Sequence, residues 1–238
     1  MSAPLCDWAS HYLWERSFEL NCWSSEFSDY RMKVRIFEVI GGTSVQMILT
    51  HYYHRDDQPF QILSDLAEEE ALSVISNLRD RTGAVYDRFS NPKKYLQRRQ
   101  EAESWVRQEF IKKGGQPISL YPQYFVVERA VWIEEGFNGQ SNSVQIPLSA
   151  FSAEQVSFTY PDSMISYWLR NQTDQEFYHS EYHGQVFVLS EICQIVDKFG
   201  IPNEEWRTNR AREWDFFIEA QVWSNIPSLY ATQPNNSK

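Results

Sequence analysis

The 238-residue chain is expected to fold as α+β, a single domain with a mostly antiparallel or mixed sheet and about four helices. Three observations lead there. Apolar residues make up 42% and charged residues 23% of the chain, enough to build and enclose one core of this size. Segments of strand character outnumber segments of helical period and do not alternate with them in a βαβ beat. Nine Trp are spread along the whole length and need partners to bury against, which calls for a dense aromatic core or an aromatic-walled cleft.

The elements follow in chain order. Residues 1–31 carry aromatics about four positions apart, among them Trp8, Tyr12 and Trp14, a helical spacing. Gly41-Gly42 interrupts the chain. Residues 1–44 are therefore expected to form an aromatic appendage, residues 45–230 the α+β domain and residues 231–238 a disordered tail. Residues 45–53 form an apolar run that reads as a buried strand, followed by a turn at Asp56, Asp57 and Pro59. Asp65 and Glu68 have capping-box spacing, and Ala71, Val74, Ile75 and Leu78 supply the apolar stripe of a helix that Gly83 ends.

The clearest helix covers residues 92–113. Asn91 is placed to cap it, Pro92 suits its first turn and Gly114-Gly115 stops it. Ala102, Trp105 and Val106 face inward, while Arg99–Glu103–Arg107 and Glu109–Lys113 have the four-residue spacing of ion pairs. Strands are expected near residues 123–128, 144–147, 156–160, 185–189 and 216–223. Between the last two, Ser190 is expected to cap a helix with Ile192, Ile195, Val196 and Phe199 on one face, and a shorter helix starts after Pro161-Asp162.

Charge narrows the partners. A net charge of −10 makes nucleic acid an unlikely partner, since binders of nucleic acid present a basic surface. Residues 79–113, however, hold ten of the 22 Lys and Arg against five acids. This segment is a candidate seat for a small anionic ligand, with Lys93, Lys94 and Arg98 as the binding residues because they have no obvious helical acid partner in the sequence. The plainer alternative is a solvated helix laced with ion pairs. No run approaches the roughly 18 uncharged apolar residues of a membrane span. Asp7, Glu15 and Glu19 break the layout of a secretory signal, and Cys6, Cys22 and Cys193 are too scattered for a disulfide framework. A soluble, cytoplasmic protein is expected, with no membrane partner and with the aromatic N-terminal segment as a possible seat for a protein partner.

Four of the five histidines form two close pairs, His51/His54 and His179/His183. On a strand, residues three apart point to opposite faces, and Gly184 crowds a helical reading of the second pair, so no metal site is expected. Nucleophile elbows and glycine-rich phosphate loops are absent from the sequence.

From Met47 onward several phrases resemble an uncharacterised bacterial family of hypothetical proteins. They are His51-Tyr52-Tyr53-His54 with Pro59-Phe60, Arg98-Arg99-x-x-Ala102-x-x-Trp105, Phe110 to Gly115, Ser157 to Met164, His183-Gly184-Gln185-Val186 and Glu219-Ala220-Gln221-Val222-Trp223. This resemblance covers about four-fifths of the chain and brings no activity with it.

A fainter similarity is to ADP-ribosyltransferase-like folds, in which an early strand bears a His-Tyr pair and a late strand bears Glu before an Ile-Pro turn. His51-Tyr52 and Glu219, with Ile226-Pro227, look like that frame. The resemblance implies catalytic roles: His51 on a ribose hydroxyl of NAD, Tyr52 stacked on nicotinamide, and Glu219 stabilising the oxocarbenium-like transition state. Lys93, Lys94 or Arg98 would meet the pyrophosphate. Glu219-x-Gln221 stands where many such enzymes carry Gln/Glu-x-Glu. Three classes of function therefore remain open at this level: a domain binding a small anionic or nucleotide-like ligand, an NAD-dependent transferase, and a protein–protein interaction module. Whether the chain is an enzyme, and with which cofactor, is left open.

Overall fold

The computed structural model describes residues 47–203, 209, 212 and 214–231. The appendage expected at residues 1–44 and its helical spacing lie outside the described residues; of the tail expected at 231–238, Ala231 ends a short helix and residues 232–238 lie outside the described residues. The domain is α+β, as its strand and helix patterns predict.

Six strands form one sheet: β1 (Ile48–His54), β2 (Gln123–Val127), β3 (Ser141–Pro147), β4 (Val156–Thr159), β5 (Val186–Phe187) and β6 (Glu219–Val222). Their order across the sheet is β3-β1-β2-β6-β4-β5, and every neighbouring pair is antiparallel. Among the described residues six α-helices accompany them: α1 (Glu68–Arg79), α2 (Pro92–Lys112), α3 (Val131–Gly136), α4 (Ser163–Leu169), α5 (Leu189–Phe199) and α6 (Ser228–Ala231).

Local chemistry explains both ends of α2. The Asn91 side chain accepts the Lys94 amide at 3.1 Å and Pro92 opens α2, while the Gly115 amide closes it onto the Phe110 carbonyl at 2.9 Å. Three expectations are corrected. Asp65 does not cap α1; it lies in a separate short 3-10 turn, Leu63–Asp65, and Ala67 occupies the cap position without a side-chain bond. Helix α5 begins two residues earlier than a Ser190 cap would place it, with Val188 in the cap position, and Glu191 caps it by accepting the Val188 amide at 3.1 Å. Glu109 pairs with Lys112 rather than Lys113, whose ammonium reaches Glu191 at 2.8 Å.

The strand register divides the sheet into unlike faces, because side chains alternate along each strand. Leu49, Phe125, Val127, Val144, Ile146, Val156, Phe158, Ala220 and Val222 share one face and pack with Ile192 and Val196 of α5 as the main core. Across the other face one row spans all six strands: Gln145, Thr50, Val126, Glu219, Thr159 and Val186. A neighbouring row holds Tyr124, Gln221 and Ser157. This face is polar yet covered: Thr50, Ser157, Thr159 and Gln221 are each 1% exposed or less. Buried polar groups demand partners, so the layer above it has to be chemically matched to it.

Candidate functional site: a buried carboxylate pair on the polar face of the sheet

Glu219 opens β6 on the polar face, and Asp162 caps α4, which lies against that face. Asp162 Oδ1 accepts the Met164 and Ile165 amides at 3.0 Å each. The next amide of the same turn, Ser163 N–H, donates to Glu219 Oε2 at 2.8 Å. One helix N-terminus thus serves two carboxylates, a use of its unpaired amides that favours negative charge.

The pair is nevertheless strained electrostatically. Burial pushes the Glu219 carboxyl up, the Asp162 charge adds to it, and the donors Ser163 and Gln221 offset part, leaving it at about 7. Asp162 is also raised by burial, against the Ile165 amide and the Arg88 charge. A carboxyl held near neutrality can both release and accept a proton, which suits a general acid–base group.

The orientation of Gln221 follows from a chain of bonds with fixed polarity. Trp223 Nε1–H, which can only donate, gives its proton to Ser157 Oγ at 2.8 Å. The Ser157 hydroxyl then donates to Gln221 Oε1 at 2.8 Å. Gln221 Nε2 is left to face Thr159 Oγ1 and Glu219 Oε2, each at 3.0 Å. Both named donations to Glu219 fall on Oε2, and the residue as a whole is half-buried.

Tyr124 stands beside Gln221 in the same face. Its hydroxyl donates to Glu103 Oε1 at 2.9 Å, and its phenol is held well above the usual range by burial and by the Glu103 charge, with a smaller contribution from Glu219. Arg99 crosses the Tyr124 ring at 4.6 Å and pairs with Glu103 at 2.9 Å. It also donates to Ser64 and Tyr95. This buried network ties α2 to the sheet next to the carboxylates.

The residues singled out from sequence separate. His51 lies on the apolar face, opposite Tyr52 and Glu219. The β1–β2 ladder pairs only Leu49 with Val127 and Thr50 with Val126. Beyond it the imidazole takes over: Nε2 accepts the Phe60 amide at 3.0 Å, so Nδ1 carries the proton and donates to the Tyr124 carbonyl at 2.8 Å. Burial lowers this histidine to about 4. Both nitrogens are committed to backbone, which leaves neither for a ribose. Tyr52 shares the face of Glu219 but sends its hydroxyl to Glu134 Oε1 at 2.8 Å while accepting the Ala130 amide, and so anchors α3. Burial raises it to about 12.

Lys93 is exposed, and Lys94 and Arg98 are half-buried along the first turns of α2. A cation whose charge reaches Asp162 is Arg88, in the 3-10 segment Ala84–Phe89 just before α2. Sequence reading passed over Asp162 as a cap, Tyr124 as a strand residue and Arg88 as one base among ten. The signal available was the Glu219-x-Gln221 spacing, which puts two polar side chains on one face of a strand.

His179 and His183 sit in a turn. The His179 amide donates to His183 Nδ1 at 3.1 Å, so His183 Nε2 donates to Asp215 Oδ1 at 2.8 Å. Tyr182 donates to the other oxygen at 2.8 Å. With His183 1% and Asp215 2% exposed, this network presents no atom to a ligand. It fastens the turn to the segment leading into β6. Among the described residues no three His, Cys, Asp or Glu side chains are arranged to hold a metal ion, and no helix is long and apolar enough to cross a membrane. Comparison of the chain with protein-family models, with curated proteins and with solved structures finds no match.

Proposed function

We propose that this domain binds a small hydroxylated, nucleotide-like ligand over the Asp162–Glu219 pair, with Glu219 as the group that exchanges a proton with it. One observation carries the reading: two carboxylates share one helix N-terminus, and burial, with the Asp162 charge adding to it, holds Glu219 at about 7. Near neutral pH the Glu219 carboxyl populates both its protonated and its ionised form, so it can donate to or accept from a ligand hydroxyl. Arg88 at the rim offers charge to an anionic portion of the ligand, with Lys93, Lys94 and Arg98 following in the same stretch of chain.

A melting-temperature screen of the full chain against NAD, nucleotides and sugar phosphates tests this, because a ligand that binds only the folded state raises its stability. At least one class should raise the midpoint. Glu219→Gln should weaken that ligand roughly tenfold or more, as expected for loss of a charge-assisted hydrogen bond. Arg88→Ala should weaken phosphorylated members and spare the unphosphorylated ones. A flat screen, or a ligand indifferent to both substitutions, would remove the reading.

A further inference from the structure

We propose that the groove between α2 and α4 is a second binding site, for an extended peptide that delivers a carboxylate to Arg170. It is an open groove of about 470 Å³ on the solvent side of α2, away from the sheet. Four exposed polar side chains, Gln97, Gln100, Ser104 and Gln108, run along one wall at intervals of three and four residues. Tyr167 and Arg170 of the α4 segment form the other wall, with Trp105 as the floor.

Arg170 is the informative residue. Its Nε donates to the Tyr167 carbonyl at 2.9 Å, and its guanidinium lies 3.8 Å from the Tyr167 ring centre and 5.3 Å from that of Trp105. Stacking and that single bond fix the plane of the fork before any ligand arrives. Among the described residues no carboxylate forms an ion pair with it. Glu101, the acid in this groove, is held by the Gln97 amide at 2.9 Å. A planar, pre-oriented guanidinium whose terminal nitrogens make no hydrogen bond among the described residues matches a carboxylate bidentately.

The rest of the groove selects a peptide over a sugar or a nucleotide. Sugars are recognised on open aromatic faces, but Arg170 covers Tyr167 and Trp105 is 9% exposed. Carboxamides and a hydroxyl each donate and accept, as the N–H and C=O groups of an extended backbone need. The wall from Gln97 to Gln108 is about 16 Å long at 1.5 Å per residue, the span of about five extended residues. Glu101 adds a strong acceptor for backbone N–H groups, and it disfavours polyphosphate.

The experiment is selection of binders from two random pentapeptide libraries on the full-length protein. One library has free C-terminal carboxylates, and the other is amidated and lacks Asp and Glu. The acid library should yield saturable binders, and amidation of any binder should weaken it roughly tenfold or more. Arg170→Gln should produce a comparable loss, and Arg170→Lys should restore little of it because the fork geometry is gone. The exposed double variant Gln100→Ala/Gln108→Ala, which leaves the packing of α2 intact, should also weaken binding. Equal recovery from both libraries, no binder tighter than about 1 mM, or displacement by maltose or inorganic phosphate would overturn the proposal.

Discussion

Glu219 and His51 are set against each other by where the sheet puts them. The folded Glu219 titrates at about 7 against an ordinary 4.5, so between those values the native state holds a proton that the unfolded chain has lost. Its contribution is full below 4.5 and is lost as pH rises through 7. His51 behaves oppositely. Held near 4 against an ordinary 6.5, it stays neutral while the unfolded chain takes up a proton, so its contribution is lost as pH falls from 6.5 towards 4. The two terms cancel in part between these pH values. Glu219→Gln removes the first and keeps the second. The variant should therefore be more stable than the wild type at pH 8, by on the order of 1–3 kcal/mol. It should also lose stability more steeply on acidification below 6.5. Urea midpoints from pH 4 to 8 measure both, and a variant less stable at pH 8 would mean that the carboxyl is not strained.

At the scale of elements, α4 is seven residues long and depends on its first turn. Asp162 has two jobs there that substitution can separate. Asp162→Asn keeps an oxygen for the Met164 and Ile165 amides and removes the charge facing Glu219. The helix should persist, and the Glu219 midpoint, followed by carboxyl NMR shifts, should fall towards the ordinary carboxylate range. Asp162→Ala removes the cap as well and should cost about 1 kcal/mol or more. An unmoved Glu219 midpoint in the Asn variant would show that burial alone raises it.

For the whole molecule, the question is how a polar sheet face is held beneath a helical layer. The described residues answer with two kinds of contact: Arg99, Glu103 and Tyr124 join α2 to β2 by complementary bonds, while Trp105, Val106 and Phe110 of α2 pack against Val186 and Trp223. Glu103 is 2% exposed and Arg99 leans on it. Glu103→Ala should therefore cost roughly 3–5 kcal/mol by stranding a buried cation, whereas Arg99→Met/Glu103→Leu should cost far less. Comparing urea unfolding of the two variants decides this. Equal losses would mean that packing, not the ion pair, binds the layers.

What the chain determined by itself was its local chemistry. Asn91 and Pro92 start α2, Gly115 helps end it, Asp162 starts α4, and apolar period separates strands from helices, because caps and periodicity act over a few residues. The alternation in β6 already placed Glu219 opposite Ile218, Ala220 and Val222. Only the tertiary structure decided what Glu219 faces. Its amide donor, Ser163, is 56 positions away, and the antiparallel order that brings β6 beside β4 is set by non-local pairing that no local pattern encodes. The same holds for His51. Its neighbours in sequence make it look like half of a catalytic pair, yet the end of the β1–β2 ladder turns it inward to satisfy backbone groups that burial would otherwise leave unpaired.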